Sequence, residues 1–156
     1  MKKSFFVSLF FILFVSIIVN VPTLYAQSNE LIDKLLAQEE ATFGETVVLV
    51  LSGAGLIGEN SSEAEAISYI KDKNWGFNEI KTDSPVTAGA LSLLVMRAFD
   101  IPGGIFYRLF PGKRYAYREM VYLGLISKKG GPYRKLTGEE VLRVLQSTLE
   151  WKEAAK

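Results

Sequence analysis

The chain has 156 residues, 18 Lys+Arg against 17 Asp+Glu, no Cys and no His, a length that supports one domain or two very small ones. Without cysteine there is no disulfide, no thiolate metal site and no cysteine nucleophile. Without histidine the usual general base and the usual transition-metal ligand are missing, so Ser-His-Asp and Cys-His constellations are excluded.

The first 26 residues read as an export signal. Lys2 and Lys3 make a basic start, residues 5–19 are apolar except for Ser8 and Ser16, and Leu24-Tyr25-Ala26 precedes polar Gln27-Ser28-Asn29. A charged start, a short apolar stretch and a small residue at the cut are the parts of such a signal, with cleavage after Ala26. The apolar run is short of the ~20 residues of a membrane span; the other outcome is a leader kept as an N-terminal anchor. No cysteine follows the run, which excludes a bacterial lipid anchor on cysteine.

Apolar residues at Ile32, Leu35, Leu36, Phe43, Val47, Val50 and Leu51 predict a helix over 30–51. The β-branched cluster at 46–50 offers a strand as the alternative. Gly53 and Gly55 end the segment. Ser61-Ser62 cap a second helix over 63–75, with Ile67, Ile70 and Trp75 inward. Thr87 caps a third over 88–99, apolar on all sides and therefore central in a bundle. Pro102-Gly103-Gly104 and Pro111-Gly112 break the chain before a short fourth helix over 115–123. Thr137 with Glu140 forms a capping box for a fifth helix, which runs to Trp151. A weak internal echo, Gly55-Leu56-Ile57 with Gly124-Leu125-Ile126 and two stretches ending in Trp75 and Trp151, suggests two helix–loop–helix units about seventy residues apart.

Within residues 86–151, Val86-Thr87-Ala88-Gly89-Ala90 opens one helix. Phe110-Pro111 follows in a loop and Tyr115-Ala116-Tyr117 leads a short helix. Next come Gly124-Leu125-Ile126, Tyr133-Arg134 and Leu136-Thr137-Gly138-Glu139-Glu140. This order resembles the S-layer homology family, small all-helical modules of exported bacterial proteins whose helices open with Ile/Leu-Thr-Arg-Ala-Glu. The resemblance covers half of the chain beyond the leader. It implies a helical fold and an envelope location. In family members that bind cell-wall polymer, the motif arginine contributes to the anionic-glycan site; here Ala88 and Gly138 stand in the two arginine places.

Charge is divided along the chain. Residues 27–100 hold 5 Lys/Arg against 12 Asp/Glu, whereas residues 101–135 hold 8 Lys/Arg against Glu119 alone. The segment Tyr107-Arg108…Lys113-Arg114-Tyr115-Ala116-Tyr117-Arg118 interleaves aromatics with cations, and Lys128, Lys129 and Arg134 lie in a basic loop. Arg108, Lys113, Arg114, Tyr115, Tyr117, Arg118, Lys128, Lys129 and Arg134 are therefore the candidate binding residues, suited to anionic sugars, phospholipid heads or an acidic protein. The competing reading is packed tyrosines and solvated cations, as is usual for charge runs.

Three other patterns receive structural readings. Gly53-Ala54-Gly55-Leu56-Ile57-Gly58 matches G-x-G-x-x-G, but the helix does not open inside the glycines and no β-α-β units follow, so it reads as helix termination and a turn. The pairs Glu39-Glu40, Glu63/Glu65 and Glu139-Glu140 lie in amphipathic helices or first turns, where the helix dipole favours them without catalysis. Phe106, Phe110, Trp75 and Trp151 read as core aromatics, with a sugar-binding platform as the alternative.

The expectation is an all-α protein, a small helical bundle of about five helices. It comprises a signal peptide (1–26), an N-terminal helical segment (27–84), an S-layer-homology-like module (85–152) and a tail (153–156). Function is expected to be non-catalytic: a periplasmic or extracellular binding or scaffold module contacting an anionic wall polymer or an acidic protein. No cofactor, metal, nucleic acid or integral membrane span after cleavage is expected. The alternative is a structural subunit of a larger periplasmic assembly, held by the apolar face of the 30–51 helix and able to form oligomers.

Overall fold

A computed structural model describes residues 24–77 and 79–155. The expected export signal lies outside the described residues apart from its last three positions. The protein is all-helical. The described residues form α1 (Leu24–Leu36), α2 (Phe43–Gly53), α3 (Glu63–Asp72), α4 (Ala88–Ala98), α5 (Ile105–Leu109), α6 (Lys113–Tyr122) and α7 (Gly138–Ala154). Their only β pairings are two isolated bridges, Thr42 with Pro85 and Thr87 with Lys135.

Local chemistry explains most helix ends. Ser62–Glu65 and Thr137–Glu140 are reciprocal capping boxes, and the Thr87 hydroxyl accepts from the Ala90 N–H. Four helices stop in the same way. Gly55, Asn74, Asp100 and Gly124 adopt positive φ. The apolar residue after each (Leu56, Trp75, Ile101, Leu125) donates its N–H to a carbonyl five residues back, at Leu51, Ile70, Met96 and Met120. Gly55 within the G-x-G-x-x-G match is thus a helix terminator.

The 30–51 segment is not one helix. It breaks over residues 37–42, and the reason is tertiary. Ala41 donates to the Leu136 carbonyl (2.8 Å), Val86 to the Ala41 carbonyl (2.8 Å) and Leu136 to the Val86 carbonyl (3.1 Å), closing a ring of three backbone hydrogen bonds. These residues immediately precede the N-caps Thr42, Thr87 and Thr137, so the N-termini of α2, α4 and α7 converge on one junction.

The strand-like segments before these helices also exchange partners cyclically. Phe43 and Gly44 donate to the Ser84 and Thr82 carbonyls, in the approach to α4. Ala88 and Gly89 donate to Arg134 and Pro132, in the approach to α7. Gly138 donates to Gln38, in the approach to α2. Orphan N–H groups of each helix are thereby met by the loop leading into the next. Thr42, Thr87 and Thr137 are thus three related helix starts; the echo of the sequence survives in the matching helix ends at Gly55 and Gly124 and the capping boxes that follow them.

One core lies behind the junction. It contains Leu35, Phe43, Val47, Val50, Leu51, Ile70, Leu91, Leu94, Met120, Val141 and Leu145, so residues on both sides of position 85 share it. Every α4 residue except Arg97 is buried, as its all-round apolarity requires. Full burial of each such Val, Leu, Ile, Phe or Met side chain contributes about 1.5–3 kcal/mol. Of the apolar residues of 30–51, Leu35, Val47, Val50 and Leu51 are fully covered within the chain, whereas Leu36 stays exposed.

Candidate binding surface

The basic middle of the chain folds into α5, α6 and the loop that leads into α7. The α5 helix is short, confined between Gly103-Gly104 and Pro111-Gly112. One aromatic, Tyr107, turns inward and is 8% exposed; burial pushes its phenol pKa up, opposed by the nearby Arg97 guanidinium. Ile105, Phe106, Leu109 and Phe110 stay in solvent, at 58–72% exposure. Phe106 and Phe110 are therefore surface residues and not the core aromatics the sequence suggests, because a helix this short faces the core with one side chain only. Trp75 and Trp151 do pack on the core, half-buried.

Behind this ridge stands Tyr115 at the start of α6. Phe106 stacks on it with ring centres 6.1 Å apart and planes 11° apart, and Phe110 stacks on it at 6.1 Å and 30°. Arg118 lies over the Phe106 ring at 5.9 Å. On one side of Tyr115 opens a cleft of about 670 Å³, lined among others by Phe110, Pro111, Lys113, Arg114, Pro132 and Tyr133. Tyr133 is 82% exposed at its rim. On the other side is a smaller cleft of about 270 Å³ between Phe106, Tyr115, Arg118, Glu119 and Tyr122.

The nine candidate residues thus separate. Lys113, Arg114 and Tyr115 meet in the larger cleft, and Arg118 borders the smaller one. Arg108, Lys128 and Lys129 are exposed but line neither. Tyr117 is buried at 5% exposure and donates its hydroxyl proton to the Ser127 carbonyl (3.2 Å), so it packs and does not face a ligand. Arg134 is engaged internally. Its Nη1 donates to both carboxylate oxygens of Glu140 at 2.7 Å, and its Nε donates to the Lys129 carbonyl at 3.0 Å. The Arg134 hydrogen bond holds the Glu140 carboxyl below its ordinary pKa against the effect of burial. Arg108, Arg114, Arg118, Lys128 and Lys129 form no ion pair among the described residues.

Sequence reasoning passed over Ile105, Leu109 and Tyr133. The available signal was density: residues 101–118 hold five aromatics and four cations without one acid, more large side chains than a helix of one and a half turns can bury.

The carboxylate pairs have structural partners. Lys135 donates to both oxygens of Glu40 (2.9 Å), Arg143 pairs with Glu139 (2.6 Å), and Glu65 and Glu140 complete capping boxes. Glu45, 3% exposed, is the buried acid among the described residues. Burial acts to raise its pKa, but Lys34 Nζ (2.5 Å), the Gln38 amide (2.6 Å) and the Thr42 hydroxyl (2.9 Å) together hold it below the ordinary value. Among the described residues no group of three or more acidic side chains is placed to hold a metal ion, and no helix is long and apolar enough to cross a membrane.

No family model, curated protein or solved structure matches this chain.

Proposed function

We propose that the protein is a non-catalytic, exported module of the cell envelope that contacts an anionic wall polymer through the cleft beside Tyr115. The carrying observation is the meeting of Lys113 and Arg114 with Phe110, Tyr115 and exposed Tyr133 around one opening of about 670 Å³. Sugar rings stack on aromatic faces while cations pair with acidic substituents, so this composition suits a charged glycan. The leader pattern supports export, and the S-layer-homology-like order of motifs supports the envelope.

The polymer site of this reading differs from the motif-arginine site of the resembled family. The positions after the three cap threonines are Phe43, Ala88 and Gly138, all buried in the junction. Contact shifts to Lys113 and Arg114, which lie in solvent-accessible positions on α6. An acidic protein surface is the second occupant this chemistry admits.

The test is co-sedimentation of the purified chain with isolated wall polysaccharide. Binding is expected to weaken as salt rises, because exposed charges are screened over about 10 Å at 0.1 M. It is expected to fall at least tenfold in Lys113→Glu/Arg114→Glu. Binding that ignores both salt and this double variant overturns the proposal.

A further inference from the structure

We infer that the α5 ridge is a docking surface for an anionic phospholipid bilayer. The inference goes beyond the polymer reading: the ridge shares Leu109 and Phe110 with the larger cleft, but Ile105 and Phe106 lie outside it. Of the large hydrophobic side chains exposed among the described residues, four fall within six consecutive positions: Ile105 (72%), Phe106 (58%), Leu109 (65%) and Phe110 (60%). Contiguous exposed apolar side chains on a soluble fold mark an interaction site.

Charge and chemistry select the occupant. Arg108 stands within the ridge, and Lys113, Arg114 and Arg118 follow it; the acid beside them is Glu119, in the smaller cleft with Phe106 and Arg118, so cations outnumber it four to one. Cations around an apolar wedge, with aromatics among them, are the elements of interfacial membrane binding: apolar side chains enter the acyl boundary and basic ones pair with anionic headgroups. A polysaccharide in the larger cleft offers nothing to aliphatic Ile105, which lies outside that cleft and is 72% exposed. A second copy of the chain is a poor match as well. Its acidic half, residues 27–100, supplies opposite charge but exposes only Leu36 as a large hydrophobic among the described residues there, and its own ridge is apolar but brings the same cations, which repel.

The test uses the purified full chain, with parent and variants in the same form so that any leader contributes equally. Partitioning is measured on vesicles of phosphatidylcholine with and without phosphatidylglycerol. The parent is expected to bind phosphatidylglycerol vesicles selectively. Ile105→Asp/Phe106→Asp and Arg108→Glu/Arg118→Glu are each expected to reduce that binding by about tenfold. In I105W, tryptophan emission is expected to shift to the blue on adding phosphatidylglycerol vesicles. Both double variants change exposed positions, and circular dichroism checks that they remain helical.

Equal binding to both vesicle types, unchanged binding by the variants, or emission of I105W unmoved by lipid would each overturn the inference. A salt-resistant oligomer abolished by Ile105→Asp/Phe106→Asp would also overturn it, in favour of a second copy. Wall-polysaccharide binding that survives Ile105→Asp/Phe106→Asp while vesicle binding is lost separates this surface from the polymer cleft. Loss of polymer binding with vesicle binding intact overturns the assignment of these residues to lipid.

Discussion

The Leu35 carbonyl occupies the place that a side chain on residue 138 would need: a Cβ added to Gly138 would overlap that backbone. Gly138 opens α7 directly after its cap, and its N–H meets the Gln38 carbonyl (3.2 Å). The contact joins α1 to α7 and lets the 38–41 segment close the ring of the helix junction. It also gives a physical reason for glycine at this position.

Gly138→Ala is therefore expected to destabilise the fold by about 3 kcal/mol, since neither backbone can give way without opening the junction. Chemical denaturation measures this. A change below about 0.5 kcal/mol, the range of neutral surface substitutions, would show that α1 does not pack as described.

Acid should unfold the protein through Glu45 and Glu140. Both carboxyls are held below the ordinary 4.5 in the folded state. Their contribution is thus complete above the unfolded value and is lost as pH falls through the lowered folded one. With no histidine in the chain, stability is expected to be flat from about pH 6 to 7.5 and to decline below 4.5. Glu45→Gln should cost about 1–2 kcal/mol at neutral pH and flatten the acid limb, as followed by urea titrations across pH.

The left-handed helix ends at Asn74 and Asp100, with φ of 51° and 50°, carry strain that glycine lacks. Asn74→Gly and Asp100→Gly should each raise stability by a few tenths to about 1 kcal/mol, while Gly55→Ala and Gly124→Ala should each lower it by about 1 kcal/mol. Thermal unfolding of the four variants gives the comparison. The two groups moving in the same direction would refute the shared termination geometry.

Tyr117 and Arg114 are three residues apart and should behave oppositely. Tyr117→Phe removes the hydrogen bond to the Ser127 carbonyl and is expected to cost about 1 kcal/mol of stability with polymer capture unchanged. Arg114→Glu is exposed and is expected to leave stability within about 0.5 kcal/mol while reducing capture. Paired denaturation and co-sedimentation measurements read both.

Much of the helical framework is legible residue by residue. Ser62, Thr87 and Thr137 announce helix starts, and the glycines at 55 and 124 announce ends, because these signals act on backbone groups within one turn. The apolarity of residues 88–99 places α4 at the centre for an equally local reason. The candidate surface is legible only in part. The density of cations and aromatics locates it, but which tyrosine packs and which phenylalanine stays in water depends on where α5 meets the rest of the chain. Tyr107 and Tyr117 turn inward, and Phe106 and Phe110 do not.

Composition and periodicity by themselves determine a histidine-free, cysteine-free chain of amphipathic helices with an acidic front and a basic middle. Only the tertiary structure decides that the helical pattern over 30–51 is interrupted and that Thr42, Thr87 and Thr137 are equivalent. The reason is distance along the chain. The hydrogen bonds that draw residues 38–41 out of a helix end on Val86, Leu136 and Gly138, partners that the local pattern around Ala41 does not encode.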